Sequence, residues 1–152
     1  MIRHDLKRID LKIGIEGERK CKIFLRSKYP KSEGYSVKAF KYKYYPFDFA
    51  IFKDGNIIHE YEVKNRSCRF GKYPSLMFGE TKMKYVKEQL VINPTKQFTF
   101  LWLLSDDNFY GWDYQDNEDH YEAREGRNGK NNEKWKDCIY VFNRYVKQLT
   151  FL

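Results

Sequence analysis

Residues 47–64 constrain this chain more than any other stretch. Two runs rich in aromatic and β-branched residues, 47–52 and 57–64, flank Lys53-Asp54-Gly55-Asn56. Asp-Gly accepts the positive φ angles of a two-residue hairpin turn, so the runs read as antiparallel strands joined tightly. The first strand is almost continuously apolar, broken by Asp48. A carboxylate there is costly unless it is paired or holds a metal. In the return strand, the two-residue period puts Glu60, Glu62 and Lys64 on one face and Tyr61 and Val63 on the other. Counting across the turn sets Asp48 beside Glu62. Carboxylates and an ammonium group therefore gather at one end of the hairpin.

The triplet by itself carries little. Acid-any-Lys occurs five times: at Asp5 to Lys7, Asp10 to Lys12, Glu18 to Lys20, Glu62 to Lys64 and Glu80 to Lys82. Only Glu62 to Lys64 falls late in a clear strand with a carboxylate on the preceding antiparallel strand. Such a grouping suits Mg2+, which takes one or two carboxylates and completes its shell with water and substrate phosphate. The ion acidifies a bound water and offsets charge on a phosphate, and a neighbouring lysine orients that water. The plain alternative is that Asp48 caps its strand or pairs with Lys64 while Glu62 is solvated. Spacing leaves both open.

Pro46-Phe47-Asp48, followed after the turn by Glu62-Val63-Lys64, resembles the signature of the PD-(D/E)xK nuclease superfamily. That group includes restriction endonucleases, archaeal-type Holliday-junction resolvases and repair nucleases. The resemblance implies an α/β fold with a restriction-endonuclease-like core, a mixed central β-sheet flanked by helices. It implies Mg2+, or Mn2+ in its place, held by Asp48, Glu62 and the Val63 carbonyl, with Lys64 positioning the attacking water. A glutamate on the first core helix faces the metal in many members; Glu18 matches best, with Glu16 in reserve. DNA is the implied substrate, cut by an endonuclease of resolvase or repair type. A non-catalytic nucleic-acid-binding module and an RNase are the alternatives on the same scaffold. Two features depart from the family's patterns: Phe47 separates Pro46 from Asp48, and Asn93 stands where the RecB-like branch has a tyrosine after Gln89.

Charge supports a polyanionic partner. The net charge of +8 lies entirely in residues 1–47, which hold 13 Lys and Arg against 5 Asp and Glu. Arg66, Arg69, Lys72 and Tyr73 follow the hairpin directly, and Lys82 and Lys84 open the next helix. They read as phosphate contacts or as a solvated basic loop. His59 projects opposite Glu62 and reads as structural; His4 and His120 lack ligand spacing. Ser67 and Cys68 have no evident base partner. Cys21, Cys68 and Cys138 form no metal or disulfide pattern, which points to a reducing, cytoplasmic setting. Residues 1–12 have no apolar signal-peptide core, and no run is long enough to span a membrane.

One domain of 152 residues is expected, with its core over about 15–114. Isoleucine and leucine alternate over 9–15 as in a strand, and a basic helix follows over 16–28. Residues 35–45 read as a strand or basic aromatic arm, with Tyr42 or Tyr44 continuing the alternation. Residues 65–80 read as a loop with a short element, 81–91 as a helix capped by Thr81, 97–104 as the central strand and 109–114 as its partner. Residues 115–136 read as a polar, mobile loop. The apolar pattern over 135–151 fits a strand and helix, or one long helix. Cleaving both strands of a duplex would need a homodimer, for which residues 139–149 are a candidate surface, or else a core element.

Overall fold

The computed structural model describes residues 2–40, 45–125 and 137–149, with side chains from residue 14 onward. Expectations for Tyr42, Tyr44 and residues 126–136 lie outside the described residues.

The Asp-Gly hairpin forms as its residues dictate. Asp54 and Gly55 both take positive φ, 52° and 79°, as a type I′ turn requires. The turn joins β2 (Phe49–Lys53) to β3 (Asn56–Asn65). Phe49 pairs with Tyr61, and the register slips at Ile51 and Phe52. Gly55 has open space around its α-carbon, so a methyl group there would meet no atom but would sit in a strained backbone. Gly55→Ala is therefore expected to cost about 1–2 kcal/mol, read as a lower urea midpoint with unchanged slope.

The sheet grows outward from this hairpin. β1 (Tyr35–Ala39) pairs antiparallel with β2 on one side. β5 (Gln97–Leu103) runs parallel to β3 on the other, with Lys64 opposite Trp102. β6 (Phe109–Asp113) and β9 (Lys147–Leu149) complete a six-stranded mixed sheet in the order β1-β2-β3-β5-β6-β9. A second sheet of three strands has β8 (Cys138–Phe142) between β4 (Ser75–Gly79) and β7 (Tyr121–Arg124).

The two-residue period of β5 sorts the core into layers. Leu101 and Leu103 face α1 (Ile2–Lys28), where Cys21, Phe24 and Leu25 pack on Phe49, Ile51 and Tyr61. Phe98, Phe100 and Trp102 face the other way, onto Met83 and Val86 of α2 (Glu80–Ile92) and onto Phe78 and Val141 of the small sheet. β5 is buried on both faces, which explains why it reads as a continuous apolar run. No described helix is long and apolar enough to cross a membrane.

Several expectations are corrected here. Residues 9–15 are helical, continuous with the basic helix, so α1 begins at Ile2 and the fold extends well before residue 15. Lys, Arg, Leu and Glu all favour helix, and a lone glycine such as Gly14 costs only about 1 kcal/mol. Thr81 caps nothing: Gly79 is the N-cap residue of α2, without a side-chain cap bond. The polar segment 115–136 contains a 3-10 turn (Glu118–His120) and β7. Among its described residues the C-terminal segment holds no long helix. It forms β8, a 3-10 turn (Asn143–Tyr145) and β9. Ile139, Val141 and Val146 are buried, so this segment is core rather than a free dimer surface.

Candidate active site

The site forms where the hairpin, α1 and α2 meet. Asp48 immediately precedes β2, and its backbone N–H donates to the Tyr61 carbonyl at 3.0 Å. Its side chain turns back along β3, where Oδ2 accepts the Val63 N–H at 2.9 Å. Asp48 therefore lies beside Glu62, as the register predicts. Val63, whose carbonyl the resemblance names as a ligand, also holds Asp48 in place through its N–H.

Glu62 is buried. Its Oε1 lies 3.4 Å from Lys64 Nζ, and its Oε2 lies 3.3 Å from Lys82 Nζ. Oε2 accepts no hydrogen bond, despite being buried. Burial, reinforced by the Asp48 charge, pushes the Glu62 carboxyl up to about 7; the two lysines oppose this.

α1 supplies the third carboxylate. Gly17 is buried, and a methyl group on it would sit 3.2 Å from the Asn65 side chain. The missing side chain lets the helix approach the end of β3 closely. Glu18, the next residue, consequently stands near Asp48. Partial desolvation and the Asp48 charge raise its carboxyl above the usual range. One turn later, burial and the charges of Asp48 and Glu18 also raise the Cys21 thiol. Asp48 thus bears on both Glu62 and Glu18. Glu16 pairs with Arg19 instead, on the exposed side of the helix.

Lys82 is the largest surprise in the constellation. It reads in the sequence as a phosphate contact outside the site. Here its ammonium group faces Glu62 and also donates to the Pro46 carbonyl. Lys84 is two residues further along a helix, hence about 200° around it, and lines a groove between α2 and the small sheet. These neighbouring lysines are not a pair. Arg66, Arg69, Lys72 and Tyr73 are exposed in the segment after β3, and the Lys72 ammonium lies 5.5 Å from the Tyr73 ring centroid.

Glu60 and His59 have other work. Glu60 is fully buried and forms an ion pair with Lys96, while Tyr85 donates to it at 3.0 Å. This buried pair is not apparent from the sequence, because Lys96 sits in a turn far along the chain. His59 lies on the α1 side, stacked on Tyr61, with its ring nitrogens at 3.2 Å from Tyr29 Oη and 2.7 Å from Thr99 Oγ1. His120 accepts the Trp112 indole N–H at 3.0 Å. Both are structural.

The donors suit a hard, small cation. Asp48 and Glu62 offer adjacent carboxylates, one with an orphaned buried oxygen. Among the described residues no group of three or more His, Cys, Asp or Glu side chains is placed to hold a metal ion. Mg2+ does not require such a group, since it keeps several waters and binds through one or two carboxylates. No family model matches the sequence, and no curated protein matches it either.

Proposed function

We propose that this chain has a restriction-endonuclease-like core of the PD-(D/E)xK type and is a Mg2+-dependent nuclease that hydrolyses phosphodiester bonds in DNA. The observation that carries the proposal is the meeting of Asp48, Glu62 and Lys64 on one hairpin, with Glu18 of α1 within electrostatic reach of Asp48. A helix, a three-stranded meander, a second helix and a parallel central strand support the same reading. Bound there, Mg2+ would acidify a water and offset charge on the phosphate. Asp48 and Glu62 would hold it, together with the Val63 carbonyl.

The chain's own residues do the rest. Lys64 projects from the same face as Glu62 and can donate an N–H to the attacking water or to a non-bridging phosphate oxygen. Asp48 is oriented by the Val63 N–H, so its position is set before substrate arrives. Lys82 approaches Glu62 from the opposite side and offers a second cation for the charge that develops on phosphorus-bound oxygen.

The same lysine favours one competing reading. With two ammonium groups on Glu62, the site balances part of its charge without an ion, as a binding module derived from such a nuclease would. Incubating the purified protein with plasmid, branched DNA and RNA separates the two. Cleavage of DNA is expected with Mg2+ or Mn2+ and none in EDTA. DNA binding without cleavage under any metal would sink the enzyme reading, and cleavage of RNA alone would change the substrate.

A further inference from the structure

We propose that a cavity beside this site binds the nucleobase of an unpaired nucleotide next to the phosphate being cleaved. The inference rests on the nuclease reading above and adds the substrate class: single strands, flaps or branches rather than intact duplex.

The cavity holds about 290 Å³ and lies between the end of β3, the segment after it, β4 and β8. Arg66, Tyr73, Met77, Trp102, Arg124 and Tyr140 line it. Its floor is Trp102, the register partner of Lys64 across β3 and β5. Neighbouring strands are about 4.8 Å apart, and paired residues project to the same face. The cavity therefore begins one strand away from the signature lysine. Arg66 follows Lys64 by two residues on the other side of Asn65.

Its chemistry is that of a base site. Trp102 is 1% exposed and fixed by its Nε1–H, which donates to the Met77 carbonyl at 3.0 Å, so it closes the back of the cavity and leaves Tyr73 and Tyr140 as the open rings. Tyr73 is 55% exposed and Met77 37% exposed, so apolar surface is held open at the mouth. The Arg124 guanidinium lies 4.3 Å from the Tyr140 ring centroid and also pairs with Glu122 at 3.2 Å, which holds the cation over the ring. Bases stack on aromatic rings and on guanidinium planes, while arginines also pair with the flanking phosphates. The volume lies at the lower end of the range of about 300–1,000 Å³ seen for small-ligand sites, enough for one base. A base inside a duplex cannot reach it without being unstacked, which costs least when the nucleotide is already unpaired.

A larger groove, about 720 Å³, runs between α2 and the small sheet. Glu80, Glu88, Glu118 and Asp137 line it against Lys84 and Lys87, an acidic balance that repels a phosphate backbone.

The test uses Lys64→Ala protein, so that DNA is bound without being consumed. Affinity is measured for a strand of thymidines and for a strand of equal length whose nucleotides are all abasic. The thymidine strand is expected to bind about tenfold tighter or more. Tyr73→Ala and Met77→Ala, both at exposed positions, should each remove most of that ratio by weakening the thymidine strand far more than the abasic one. Equal affinity for the two strands overturns the pocket, as does a Tyr73→Ala variant that weakens both alike. Mg2+-dependent cleavage of a single strand and of a flapped duplex by the parent protein is read alongside. Cleavage without base preference overturns the pocket alone. Base preference without cleavage overturns the nuclease reading and leaves a base-binding site. Binding to neither strand overturns both.

Discussion

Replacing Lys64 with alanine is expected to lower the rate of DNA cleavage about a hundred- to a thousand-fold, the usual cost of losing one preorganised donor at a reacting centre. DNA affinity and fold should stay close to those of the parent. Lys64 is partly exposed at the end of β3 and touches Glu62 at 3.4 Å, so its removal opens no core cavity. Glu62 retains Lys82 at 3.3 Å, and no buried carboxylate is stranded. Stability should therefore shift by less than about 1 kcal/mol. Single-turnover cleavage at saturating Mg2+ reads the loss, and thermal unfolding reads the fold. Wild-type cleavage rates in the alanine variant would remove Lys64 from the mechanism. Lys82→Ala gives an informative contrast. If Lys82 only supports Glu62, its loss should weaken the dependence on Mg2+ concentration; if it meets the phosphate, the rate at saturating Mg2+ should fall as well.

The hairpin and its cluster were legible because every signal for them is local. Asp-Gly dictates the turn, the two-residue period assigns the faces, and counting across the turn brings Asp48 to Glu62. Glu18 was legible only through a helix face and a family resemblance. Its approach depends on Gly17, whose close contact with Asn65 is a tertiary fact. Two of the acid-any-Lys triplets that look accidental each contribute one residue to the site: Glu18 from one, Lys82 from another. No local pattern could show this, because Lys82 reaches Glu62 only once β4 has turned the chain into α2. The second sheet was invisible for a related reason. β4 and β8 are short, lie far apart in the chain and have no alternation of their own; what unites them is burial against Phe100 and Trp102. The misassigned start of α1 arose differently. Ile9, Leu11, Ile13 and Ile15 alternate by accident of composition within a run whose residues mostly favour helix, and local propensity outweighed a short period.

In the metal-free protein, two buried groups should push stability in opposite directions between about pH 4.5 and 6.5, leaving a shallower slope than either would give alone. His59 accepts no proton easily. Thr99 Oγ1 donates to Asp113 at 2.6 Å, so it must accept from His59 Nε2–H; His59 Nδ1 is then left to accept from Tyr29, and Tyr61 donates to Tyr29 at 2.7 Å. This chain fixes a neutral imidazole, and burial holds its pKa down at about 4 against an ordinary 6.5. The unfolded chain binds a proton there that the folded chain refuses, so the stabilisation is full above pH 6.5 and lost as pH falls toward 4. Glu62 works in the opposite sense. Its carboxyl is raised to about 7 from 4.5, so the folded state holds a proton that the unfolded state releases. Stability then grows as pH falls from 7 toward 4.5. Each shift corresponds to about 3 kcal/mol at full extent. Single substitutions should expose the hidden slopes in EDTA. Glu62→Gln should become progressively less stable from pH 6.5 to 4, and His59→Gln progressively more stable from pH 7 to 4.5. Urea unfolding across this range checks both. A Glu62→Gln profile no steeper than the parent's would mean that His59 is not held neutral by its surroundings. Added Mg2+ should remove the Glu62 slope and leave that of His59, because only Glu62 stands among the carboxylates that would hold the ion.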